Sequence, residues 1–116
     1  MKRYIFLIAY EPGHFEQLTA EQQEPFFTAH ASFSAYVAEH GQEHGSAALA
    51  DTDTATTVRH VDGAATISDG PFAETVEMIG GYYDVELPDM DHAIAAAALL
   101  PPSYAVEIRP TVTISR

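Results

Sequence analysis

Tyr4-Ile5-Phe6-Leu7-Ile8-Ala9-Tyr10 is a run of seven apolar or aromatic residues, bounded by Lys2-Arg3 and by Glu11-Pro12-Gly13. A run of this length with no polar alternation reads as a central β-strand covered on both faces, not a half-wet edge. Lys2-Arg3 and the run also resemble the start of a secretory signal. The following Glu11-Pro12-Gly13-His14-Phe15 offers no small-x-small cleavage site, however, and the expectation is a cytoplasmic protein. The other long apolar run, Ala93 to Leu100, is eight residues, far short of the about 20 that span a bilayer.

Moving outward, Thr19-Ala20-Glu21-Gln22 fits a capping box. Pro25 is expected to break a helix begun there, so the main helix is read as starting at Pro25. Phe26, His30, Phe33 and Val37 then recur on one helical face, with Ala29 and Tyr36 beside them, and Gly41 suits a left-handed stop. Gly45 to Ala50 reads as a short strand. Ala55 to Val61 and Ala64 to Ser68 flank Asp62-Gly63, a two-residue hairpin signal. After the turn residues Asp69-Gly70-Pro71-Phe72, Met78 to Leu87 reads as a long strand, weakened or bulged at Gly80-Gly81. Asp89 caps a second helix, Met90 to Leu100, which Pro101-Pro102 stops. Tyr104 to Ser115 is the last strand.

This order is the β-α-β-β-α-β pattern of a ferredoxin-like α+β sandwich enlarged by one hairpin, in a single domain spanning 1–116. Two helices cover one face of a sheet, yet the first strand and the Met78–Leu87 strand are apolar on both. A second copy packing sheet to sheet is the economical cover, so a homodimer is expected.

Five Lys and Arg against 17 Asp and Glu give a net charge of −12, with 47% hydrophobic residues, six histidines and no cysteine. The charge argues against direct contact with nucleic acid or anionic membranes. The missing cysteines exclude a disulfide scaffold, a thiolate nucleophile and Cys-based zinc sites. No phosphate-cradling loop, dinucleotide fingerprint or nucleophile elbow is present, so no cofactor is expected. His40 and His44 have metal-ligand spacing on a continuous helix, but Gly41 interrupts it, and no metal site is expected.

Asp69-Gly70-Pro71-Phe72-Ala73-Glu74-Thr75, Ile79-Gly80-Gly81-Tyr82-Tyr83 and Glu107-Ile108-Arg109-Pro110 together resemble the YCII-related family, specifically its DGPF subgroup, over essentially the whole chain. The resemblance implies the dimeric α/β-barrel variant of the ferredoxin-like fold. It also implies an unsettled biochemical role: either cofactor-free acid/base chemistry on a small organic molecule in a cleft, or a noncatalytic binding or regulatory module acting with an extracytoplasmic-function sigma factor.

In such sequences a histidine stands on the first helix eleven residues before its terminal glycine, the position of His30 relative to Gly41. The partner aspartate of those sequences follows the second helix, where this chain has Leu100-Pro101-Pro102-Ser103-Tyr104 and no carboxylate. Asp69 is the substitute, a carboxylate that a turn could aim at the His30 imidazole for general acid/base work. The competing reading makes His30 a hydrogen-bonded core histidine and the Asp69–Phe72 turn purely structural. Tyr10, Gly70, Pro71, Phe72, Tyr82 and Arg109 are candidates for lining the pocket, with Tyr83 and Tyr104 as further hydroxyl donors. Arg59 and Arg109 either clamp a carboxylate or pair on the strand surface, for instance with Glu107.

Overall fold

The computed structural model describes residues 1–115. Its strands are β1 (Lys2–Tyr10), β2 (Gln42–Ala48), β3 (Thr56–Val61), β4 (Ala64–Asp69), β5 (Met78–Leu87) and β6 (Ala105–Pro110). The helices are α1 (Ala20–His40) and α2 (Met90–Ala97), with single 3-10 turns at Phe15–Gln17 and Thr52–Thr54. A four-stranded sheet runs β2-β5-β1-β6, antiparallel throughout, and β3-β4 form a separate hairpin. With the hairpin set aside, this is the strand order of a ferredoxin-like α+β sandwich. Among the described residues no helix is long and apolar enough to cross a membrane.

The core follows from strand alternation. Tyr4, Phe6 and Ile8 of β1 and Tyr83, Val85 and Leu87 of β5 point to one face, where Phe33 and Val37 of α1 and Ala93 and Ala96 of α2 meet them. The two alanines let α2 approach closely, while Phe33 supplies bulk, packing edge-on to Phe6 at 5.3 Å and against Tyr83 at 4.3 Å between ring centroids. On the other face, Ile5 and Leu7 are only partly covered and Tyr82 is exposed. Arg3 and Asp84 form a bidentate pair there at 2.8 and 2.7 Å, and that hydrogen-bonded guanidinium holds the Asp84 carboxyl below its ordinary value.

Five local expectations need correction. α1 starts at Ala20, not Pro25, because the Thr19/Gln22 capping box forms and satisfies two orphan donors. Pro25 removes one bond, the one its nitrogen would have given to Glu21, and both residues are exposed, so that carbonyl is open to solvent. Gly41 ends the helix in an extended conformation, φ −167°, not a left-handed one. Its need for glycine is steric, since a Cβ there would fall on the Glu86 carbonyl oxygen of β5. Finally, β2 spans 42–48, α2 stops at Ala97, and β6 at Pro110, short of the expected Ser115.

The hairpin is an arm. Asp62 and Gly63 take φ of 51° and 80°, the two-residue turn expected of Asp-Gly. Every residue of β4 is exposed. The radius of gyration is 16.4 Å, against about 13 Å for a compact domain of this length. At the base of the arm the Gly70 N–H donates to Ala55 O (2.8 Å), Thr57 Oγ1 to Gly70 O (2.7 Å) and Arg59 Nη2 to Phe72 O (2.9 Å).

Candidate functional site

The antiparallel pairing of β1 with β5 and β6 sets the C-terminal end of β1 beside the first half of α1 and the turn before β6. A cavity of about 660 Å³ opens there. Phe15, Phe26, Phe27, Leu49 and Val76 give it aromatic and apolar walls, Glu11, His14, Glu16 and Glu77 also line it, and Tyr10, His30 and Tyr104 form a polar floor. A smaller cavity of about 180 Å³ shares that floor and extends toward Gly80-Gly81.

His30 is the centre of the floor. Its helical spacing from Phe33 and Val37 aims it at the sheet, where Tyr83 Oη stands 2.6 Å from Nδ1 and Tyr104 Oη 3.0 Å from Nε2. Burial pushes the imidazole pKa below its ordinary 6.5, so the ring is neutral near pH 7. A neutral imidazole has one N–H and one bare nitrogen, so it donates to one tyrosine and accepts from the other. The shorter contact has the length of an O–H···N bond and the longer that of an N–H···O bond. We therefore assign Tyr83 as donor to Nδ1, and Nε2–H as donor to Tyr104. The Tyr104 hydroxyl proton is then left free for the cavity.

The tyrosines are held protonated. Burial raises Tyr104 to about 12, with Tyr10 and Tyr83 adding to the effect. Burial likewise raises Tyr83, reinforced by the Glu43 charge and opposed by the Ser34 hydroxyl. Tyr10 is raised by burial and then by Glu16 and Asp51. Tyr10 stacks on Tyr104, with centroids 5.1 Å apart and planes at 27°, and donates to Gly80 O at 3.2 Å. At Gly80 the expected bulge occurs, as the β1–β5 register shifts between Ile8 and Ala9. A Cβ on Gly80 would overlap the Tyr10 ring, so this glycine makes room for the stack that positions Tyr104.

Within one chain, His30 and Tyr10 line the cavity, and Tyr82 borders the smaller one. Asp69 does not join them. It ends β4 on the arm, paired across the hairpin with Thr56, and both nitrogens of His30 are already taken. Gly70, Pro71 and Phe72 belong to the base of the arm and do not line the main cavity. Arg109 lies on β6 with its Nε 3.7 Å from Glu107, and Arg59 is held by Phe72 O, so neither clamps a ligand in the cavity. His44 pairs with Glu86, and His40 packs on Tyr36 and His92. Among the described residues no three metal-ligating side chains converge. The sequence offers Tyr83 and Tyr104 as hydroxyl donors at a pocket but does not join them to His30; the structure does.

The YCII-related domain matches residues 2–112, and the chain belongs to that family. It is also 38% identical over 68 residues to an uncharacterized protein of Rhizobium meliloti (strain 1021), a match covering 55% of each chain. The chain therefore spans about half the length of the curated relative it matches.

Proposed function

We propose that this YCII-domain chain, a DGPF-type member by its Asp69–Thr75 block, binds a small organic molecule in the cavity and moves a proton at Tyr104 Oη with His30 behind it, without a cofactor. The observation that carries the reading is the clamp: both ring nitrogens of a neutral histidine are held by tyrosine hydroxyls, one of which faces the cavity. In one tautomer Tyr104 offers the cavity an O–H. In the other, Tyr104 donates to Nε2 and offers a lone pair. Proton abstraction then runs from the ligand to Tyr104 Oη as the Tyr104 proton passes to Nε2, leaving an imidazolium whose Nδ1–H is accepted by Tyr83. Protonation of the ligand is the reverse. Tyr83 takes the orienting role that sequence reading gave to Asp69.

The test is ligand-observed and histidine-observed NMR with a panel of small aromatic molecules. A bound member should move the His30 side-chain ¹⁵N resonances and lose about two- to tenfold in affinity in Tyr104→Phe, the value of one hydrogen bond. Binders that leave His30 unmoved and ignore Tyr104→Phe refute the reading.

The same reading includes a homodimer. Val58, Ile67, Phe72 and Val76 of the arm and its base are 57, 73, 78 and 78% exposed in the single chain. On the outer sheet face, with Ile5, Leu7 and Tyr82, Arg3 pairs with Asp84 and Arg109 with Glu107, while Glu86 is hydrogen-bonded by His44. A chain of charge −12 can bury such a face against its own copy without stacking like charges. A sedimentation boundary at the monomer mass at tens of micromolar would remove the dimer from this account.

A further inference from the structure

We infer that the cavity selects an organic cation, a protonated amine carried on an apolar body. This goes beyond the proton-transfer reading and rests on the same cavity being a ligand site. Three carboxylates, Glu11, Glu16 and Glu77, line the cavity, while no lysine or arginine among the described residues does. The described cations are placed elsewhere. Lys2 and Arg3 stand at the far end of β1 from Tyr10, with Arg3 tied to Asp84. Arg59 is committed at the base of the arm, and Arg109 sits beside Glu107. The three carboxylates, all on exposed residues, thus stand at the cavity with no lysine or arginine among its lining residues, and a bound cation meets an attractive field there.

The walls fit the same class. Phe15 meets Phe26 and Phe27 edge to face, at 5.5 and 5.9 Å between centroids, and Tyr104 adds a fourth ring. Aromatic faces attract a cation and an apolar body alike. The positive group that could compete is histidine. Burial keeps His30 neutral near pH 7, and His14, the other imidazole lining the cavity, lies at its Glu11–Glu16 side. An anionic ligand meets three like charges and no guanidinium, which disfavours the carboxylate substrate that Arg59 or Arg109 would have served.

The experiment compares three probes that share a phenyl ring, 2-phenylethylammonium, 2-phenylethanol and phenylacetate, titrated into the full chain at pH 7 and low ionic strength. The expected order is ammonium over alcohol by about tenfold, with phenylacetate weakest and the preference shrinking as salt rises. Glu16→Gln/Glu77→Gln should bring the ammonium close to the alcohol and leave the alcohol unchanged. Glu21→Gln/Glu24→Gln, the same charge change on the exposed face of α1, should leave the preference intact. An ammonium that binds no tighter than the alcohol, or a preference that falls equally in both double variants, overturns the inference. If the alcohol still binds and is lost in Phe26→Ala, the cavity reading survives that failure. If none of the three probes binds, both fall.

Discussion

Replacing Tyr83 by Phe removes the hydroxyl that donates to His30 Nδ1 at 2.6 Å, at a site where Tyr83 is only 9% exposed. Nδ1 then loses its hydrogen-bond donor, a loss of about 1–2 kcal/mol of stability. His30→Leu is expected to cost about as much, because it strands the Tyr83 hydroxyl in the core while Tyr104 turns to the cavity and is rehydrated. The double variant removes both partners at once, and an apolar pair of similar shape leaves nothing unsatisfied. Its loss should fall short of the sum of the single losses by about 1–2 kcal/mol. Urea unfolding at pH 8 and fixed protomer concentration measures all four proteins with the imidazole neutral and any association held constant. Additive losses, or a Tyr83→Phe variant as stable as the parent, would mean that the short contact carries no hydrogen bond, and the tautomer assignment would go with it.

The His30 pKa lies below 6.5 in the folded chain, so the unfolded state takes up the proton first as pH falls. The stability of the parent relative to His30→Leu should therefore hold above pH 6.5 and decline below it, by no more than about 1.4 kcal/mol per pH unit, read from urea midpoints at pH 5 to 8. A difference independent of pH would place the imidazole in water. Gly80→Ala drives a methyl into the Tyr10 ring and should cost about 1–3 kcal/mol and weaken probe binding, since Tyr10 must leave its stack on Tyr104. Unchanged stability and binding would show that the stack positions nothing. Of the six tyrosines, Tyr10, Tyr83 and Tyr104 should resist ionisation past pH 10, Tyr104 to about 12, in an ultraviolet titration of the folded chain. Stability should fall as pH rises through that range, because the unfolded tyrosines ionise first. Six tyrosines titrating together near 10 would contradict their burial.

The strands were readable because their signals are local. Tyr4–Tyr10 announces a central strand by its unbroken apolar run, Asp62-Gly63 by φ values only such residues accept readily, and Gly80-Gly81 by the gap it leaves in an otherwise β-rich segment. Pro25 is a poor guide to the helix start because a proline rule counts one lost bond, whereas the capping box opened by Thr19, six residues earlier, fixes that start. His30 was readable as a candidate from its place on the α1 stripe. Its partners were not, since Tyr83 and Tyr104 lie 53 and 74 residues away and reach it only through the β1 pairings with β5 and β6. Asp69 is a candidate by its chemistry at a turn. What periodicity could not convey is that this turn belongs to an arm that hydrogen-bonds mainly to itself.

The exchange of a carboxylate for two phenols changes what the histidine can do. A paired aspartate would raise the imidazole pKa and hold a proton on it near neutrality, placing a fixed positive charge at the cavity floor. Phenols with raised pKa values add no charge, and burial then pushes the ring to its neutral form, where a tautomer shift turns Tyr104 from donor to acceptor toward the cavity without creating a charge. With the floor neutral, the carboxylates that bear on the cavity are those of Glu11, Glu16 and Glu77. A cationic ligand meets their field without repulsion from below, and its arrival disfavours an imidazolium beside it. Proton abstraction by His30 should therefore be harder with an ammonium bound close to Tyr104, and proton donation to the ligand easier. That asymmetry ties the choice of ligand to the direction in which the relay runs.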